Sequence, residues 1–144
     1  MIEYVANKGK KLAKTNPHNL YSAMNDWLIM GLQSGFRRNE WAQDRTYMKK
    51  HKDIQRNVDG SAAVFIMSDM EFRGKNNLRI NQNSNPAITK ANIVNMKWRF
   101  QKNNDNGQVI SYTEDKVDNK FCYVSACKRI RQRALQLKQK PDKP

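Results

Sequence analysis

Val94-Asn95-Met96-Lys97-Trp98-Arg99-Phe100-Gln101 alternates large apolar side chains with polar ones at every step. A period of two puts Val94, Met96, Trp98 and Phe100 on one face and Asn95, Lys97, Arg99 and Gln101 on the other, the pattern of a half-buried strand. Asn103-Asn104-Asp105-Asn106-Gly107 supplies turn chemistry, and Gln108-Val109-Ile110-Ser111-Tyr112 returns as a second strand. The pair forms a β-hairpin with Lys102 at its tip. Upstream, Ala62-Ala63-Val64-Phe65-Ile66-Met67 reads as a further strand, followed by Ser68-Asp69-Met70-Glu71-Phe72. A small antiparallel sheet of about three strands is therefore expected.

Helices flank that sheet. Asn16-Pro17-His18-Asn19 is a helix-start signal, and Leu20, Ala23, Met24, Trp27, Leu28, Gly31 and Leu32 follow a helical period behind it. Gly35 is placed to stop this helix in a left-handed turn. A second helix is expected from about Arg37 to Tyr47, with Trp41 turned inward. A closing helix begins near Val124, with Ala126, Ile130, Ala134 and Leu137 on one face and Lys128, Arg129, Arg131, Arg133 and Lys138 around the rest. Lys49 to Gly60 reads as a loop or a solvated helix end, and the Asn-rich stretch from Gly74 to Pro86 as a long exposed loop. The fold class is α+β, mainly helical, with a three-stranded antiparallel sheet. Residues 1–16 form a basic arm, 17–138 the domain, and 139–144 a disordered tail.

The chain has 144 residues, and its 27 Lys and Arg stand against 13 Asp and Glu, a formal charge of +14. Its mean hydropathy is -0.93, while 38% of its residues are hydrophobic, enough for a modest core. The excess of cations favours a polyanion, because each phosphate neutralised releases counterions. A merely soluble basic protein has the same composition. The longest apolar run, Ala62 to Met67, is far too short to span a membrane, and Met1 to Lys11 has no apolar signal core. Cys122 and Cys127 make no disulfide framework and no zinc set with His18 and His51, so a reducing, intracellular setting is expected.

Several side chains could carry chemistry. Arg37 stands at a helix start, beside free backbone N–H groups, where a guanidinium can clamp two phosphate oxygens. The plainer account is a solvated surface arginine. Arg38 could serve in its place, and Glu40 could buttress Arg37 across one turn. Lys102, on a flexible tip, could donate a proton to a leaving oxygen, or simply lie in solvent. Lys97 and Arg99 share the outward strand face as candidate phosphate contacts, and Lys128, Arg129 and Arg131 are candidate DNA-backbone contacts on the closing helix. Asp69 and Glu71, with Lys75 nearby, loosely suggest a metal-dependent nuclease, but Arg73 stands where that site needs lysine.

Taken in order, these features resemble the first half of a tyrosine recombinase (phage-integrase-like) catalytic domain. Ser34-Gly35-Phe36-Arg37-Arg38-Asn39-Glu40 is similar to the family's Thr-Gly-Leu-Arg-x-x-Glu box, with Ser for Thr and Phe for Leu. The stretch Trp98 to Gly107 resembles the integrases of eukaryotic Crypton and DIRS mobile elements. The resemblance runs over residues 18–137 and implies DNA strand exchange without metal or other cofactor. Arg37 would take the place of the first catalytic arginine, Glu40 that of the box glutamate, and Lys102 that of the acid for the departing 5′ oxygen. It also implies double-stranded DNA and further recombinase protomers as partners, no membrane and no small-molecule substrate, and a nuclear setting if the source is eukaryotic. The family's His-x-x-Arg and tyrosine nucleophile have no counterpart: His18 and His51 lack the spacing, and Tyr112 and Tyr123 precede the expected place. The chain reads as truncated, and alone it should not recombine DNA. A non-catalytic DNA-binding module or mobile-element relic is the other reading.

Overall fold

The computed structural model describes residues 4, 7, 19–35, 64–99, 107–118 and 120–142. Helix α1 spans Leu20–Ser34. Its start is fixed by Asn19, whose side-chain oxygen accepts from the Ser22 N–H at 2.9 Å. Its end is fixed by Gly35, at φ 68° and ψ 15°, whose N–H donates to the Gly31 carbonyl at 3.0 Å. Replacing Gly35 with alanine meets no steric obstacle but forces a side chain into the left-handed region. Gly35→Ala is expected to cost about 1 kcal/mol, measured as a lower midpoint in urea unfolding. The second helix expected from Arg37 lies outside the described residues.

The sheet comprises β1 (Met70–Arg73), β2 (Ile93–Lys97) and β3 (Val109–Thr113), in the order β1-β2-β3 and antiparallel throughout. The α+β class and the three-stranded antiparallel sheet are as expected. The hairpin register pairs Val94 with Tyr112 and Met96 with Ile110, so alternate residues of both strands share a face. Val94, Met96 and Trp98 are buried, as the alternation requires.

Of the strand expected at Ala62–Met67, the described part, Val64–Met67, forms no strand. Val64 to Ile66 run as an irregular, fully buried segment, Met67–Asp69 form a 3-10 turn, and the strand begins at Met70. The cause is Asp69, whose carboxylate accepts the Ile66 N–H at 2.9 Å and closes the turn before pairing starts. The stretch Gly74–Pro86 is also not a plain exposed loop. It carries a 3-10 turn at Lys75–Asn77 and a bridge between Arg73 and Arg79. Gln82 there seals the outer edge of β1. Its amide accepts from the Phe72 N–H and donates to the Phe72 carbonyl, both at 2.8 Å, as a neighbouring strand would. Short helix α2 (Asn85–Thr89) follows, capped by Ser84, and delivers Ile88 to the core.

Helix α3 spans Tyr123–Gln136 and lies between α1 and the sheet, touching α2 as well. Most of its first turns are buried because neighbours surround them. Met30, Phe72, Ile88, Val94, Met96, Val124, Cys127 and Ile130 meet in one core. Leu137, expected on the inward face, is 63% exposed, because the helix ends at Gln136 and Lys138 turns to φ 54°. The tail expected to be disordered is described as far as Asp142, and the Pro141 carbonyl accepts from the Ser68 N–H at 3.0 Å.

The buried face of α1 also differs from expectation. Ser22, Asp26, Ile29 and Met30 are buried, while Leu20, Met24 and Leu32 of the apolar stripe are exposed. The helix is turned so that Asp26 reaches α3. Its carboxylate accepts from Arg129 Nε at 2.7 Å and from an Arg133 terminal nitrogen at 3.0 Å. Rotating the stripe inward would leave the buried Arg133 guanidinium without its counter-charge, and an uncompensated buried charge outweighs the gain from covering Leu20, Met24 and Leu32.

Candidate nucleic-acid interface

The closing helix carries the densest run of cations in the sequence, and the fold uses nearly all of them internally. Lys128 Nζ lies 2.6 Å from a Glu114 carboxylate oxygen. Arg129 and Arg133 share Asp26. Arg131 is 4% exposed and has no carboxylate partner among the described residues; it donates to the Gln82 carbonyl at 3.2 Å and to Asn83 Oδ1 at 3.1 Å. Burial lowers its pKa from the usual arginine value, and an arginine still keeps its charge at any ordinary pH. Lys128, Arg129 and Arg131 thus tie α3 to β3's exit, to α1 and to the turn before α2. A phosphate would have to compete with these partners.

Arg99 is held in the same way. Its Nε lies 2.9 and 2.7 Å from the two oxygens of Asp69, which is itself buried. Glu71 is shared by Arg73 at 3.0 Å and Arg79 at 3.5 Å. Both carboxylates of the loosely suggested nuclease site are therefore engaged by cations. Among the described residues, no group of three or more His, Cys, Asp or Glu could hold a metal.

Lys97 is different. It ends β2 on the exposed side, opposite Val109, and no ion pair involves it among the described residues. The ladder continues past it, with the Trp98 N–H donating to the Gln108 carbonyl at 2.8 Å and the Gly107 N–H to the Trp98 carbonyl at 2.7 Å. The chain between those paired residues contains Lys102. Arg37, Arg38, Glu40 and Lys102 themselves lie outside the described residues. What the structure supplies is their approach: α1 stops at Gly35, two positions before Arg37, and the β2–β3 ladder brackets Lys102.

Neither hairpin-side tyrosine is built to attack. Tyr123 is 2% exposed and stacks on Tyr112 with ring centres 3.8 Å apart. Burial pushes both phenols above their usual pKa, which disfavours the phenolate a nucleophile needs. Burial also raises the Cys127 thiol, and both cysteines are free and buried. They belong to the core.

Across the outer face of the sheet run side chains the core does not use. The register sets Glu71, Asn95 and Ser111 in one row, and Arg73, Ile93 and Thr113 in the next. Ser111 Oγ donates to Asn95 Oδ1 at 2.7 Å. Sequence alternation marked Asn95 and Lys97 as outward, but it could not show that Ser111 would stand beside Asn95. Asp26 was missed as a structural anion. A single carboxylate inside an apolar helix, in a chain with an arginine-rich closing helix, was the available signal.

Among the described residues, no helix is long and apolar enough to cross a membrane. Comparison of the chain with protein-family models, curated proteins and solved structures finds no match.

Proposed function

We propose that the chain binds double-stranded DNA, and that it does so as the opening half of a tyrosine-recombinase-type strand-exchange domain. The observation that carries the reading is the contrast between Lys97 and the other cations. Of the candidate DNA contacts within the described residues, Lys97 alone has a side chain with no hydrogen bond or ion pair to another described residue, and it sits where β2 leads into the segment holding Lys102. Phosphate contact then falls on the hairpin and on the segment after Gly35, where Arg37 and Arg38 follow. In this reading Arg37 holds the scissile phosphate with Glu40 in support, and Lys102 protonates the departing oxygen. In this reading neither Tyr112 nor Tyr123 is the attacking tyrosine.

A non-catalytic basic module is the second reading. In its simplest form it rests on Lys128, Arg129 and Arg131, and their internal partners count against that form.

The test is a fluorescence-anisotropy titration of duplex DNA across a salt series. The wild-type chain should bind at low salt, with log affinity falling linearly against log salt. Lys97→Ala with Lys102→Ala should flatten that slope by about 1.8, the value for two lost phosphate contacts. Arg129→Ala should leave the slope unchanged. No duplex binding at low salt would sink both readings. A slope that responds to Arg129 and ignores the lysine pair would favour the basic module.

A further inference from the structure

The outer face of the sheet is covered by no other element among the described residues, and its chemistry is specific. On β2 and β3 it offers Asn95, Lys97, Ser111 and Thr113, with Ile93 and Val109 as its apolar members. The hydroxyl of Ser111 holds Asn95 Oδ1, which leaves the two amide hydrogens of Asn95 as donors. The face is also net positive. Its one acid on the strands, Glu71, is matched by both Arg73 and Arg79, and Lys97 adds a further cation.

The edges of the sheet are unlike. Gln82 blocks β1. Antiparallel alternation, fixed by the Glu114 N–H on the Asn92 carbonyl, directs the backbone groups of Val109, Ser111 and Thr113 away from β2. No strand pairs with that side of β3 among the described residues. β3 is therefore the open edge of the sheet, and past the Met70–Met96 pair the β2–β3 pairing runs on as a two-stranded ribbon through Lys97–Val109 and Trp98–Gln108.

We propose that this ribbon seats its outer face in the major groove of B-form DNA, with Asn95 and its Ser111 support meeting base edges and Lys97 a phosphate. The inference rests on the DNA-binding reading above and goes beyond it by naming the groove and the base-contacting pair. The major groove is about 12 Å wide and admits a two-stranded ribbon, and amide side chains read its donor and acceptor pattern. Charge complementarity selects a polyanion. The aromatics of the strands and their exit select among polyanions: Phe72, Trp98 and Tyr112 all face inward, so among the described residues the outer face offers no ring on which unpaired bases could stack. The deep, narrow major groove of A-form RNA would not admit the ribbon.

The experiment compares the full chain on a plain duplex and on the same duplex with glucosylated 5-hydroxymethylcytosine, whose sugar fills the major groove while the protein stays unaltered. Affinity should fall about tenfold on the glucosylated duplex, the cost of losing one good base-edge contact. Netropsin, which occupies the minor groove, should not displace the protein. Asn95→Ala with Ser111→Ala, checked for folding by circular dichroism, should bind both duplexes with the same, weaker affinity. Equal wild-type affinity for the two duplexes, or displacement by netropsin, would overturn the groove assignment and leave DNA binding standing. Tighter binding to single-stranded DNA or to duplex RNA would overturn the choice of occupant. No binding to any of them at low salt would remove the DNA reading and the groove together.

Discussion

Asp26→Ala is expected to lower the unfolding free energy by about 3–5 kcal/mol, the range for breaking a buried ion pair by deleting one partner. Asp26 is 2% exposed at its side chain and is the counter-charge to two guanidiniums of α3. The two arginines are not equivalent. Arg129 is 42% exposed and can turn to water when Asp26 is lost, whereas Arg133 is 13% exposed and stays buried without an anion. The cost is therefore assigned mainly to Arg133. Two urea-unfolding series check this. Arg129→Ala should cost no more than about 1 kcal/mol, as partly exposed pairs do. Arg133→Met in the Asp26→Ala background should recover part of the loss, because it removes the stranded charge. If Asp26→Ala unfolds at the wild-type urea midpoint, the clamp between α1 and α3 does not hold the fold.

Asp69→Ala should move stability and DNA affinity in opposite directions. The carboxylate is 1% exposed; it closes the turn at Ile66 and holds Arg99. Its removal strands a buried backbone donor and a guanidinium, at a cost of about 3 kcal/mol. It also frees Arg99, two residues from Lys97 on the same strand exit, and adds one unit to the net charge. Duplex affinity at low salt should rise, and the salt slope should steepen by about 0.9 for one new phosphate contact. Titration below the unfolding temperature, with the folded fraction measured by circular dichroism, separates the two effects. An unchanged slope in a folded variant would mean that Arg99 does not reach DNA even when released.

The hairpin was legible because a strand with one buried face has no other way to order its side chains, and Val94, Met96 and Trp98 obey that constraint. The ends of α1 were legible for a similar reason: Asn19 and Gly35 satisfy local hydrogen-bonding needs that no distant contact alters. The run Ala62–Met67 misled because an apolar run without alternation states that it is buried and says nothing of its shape. The buried face of α1 was illegible for the opposite reason. Apolar spacing favoured Leu20, Met24 and Leu32, but the orientation is set by a carboxylate whose partner, Arg129, lies 103 residues further along. The same distance hid the fate of the α3 cations. A surface count makes Lys128, Arg129 and Arg131 look free, and only the packing reveals Glu114, Asp26 and Asn83 beside them. Of the candidate site, Lys97 could be placed from alternation alone, and Arg37, Arg38, Glu40 and Lys102 lie outside the described residues.

The amide of Gln82 has a consequence for how copies of this chain could associate. Fibres that grow by strand addition need every copy to offer two receptive edges, one for the copy before and one for the copy after. Here one edge is already occupied by a side chain that imitates a backbone. Edge-to-edge pairing of the described strands must use β3 on both partners, in a two-fold arrangement that consumes the open edge of each. Such growth terminates itself: it stops at two.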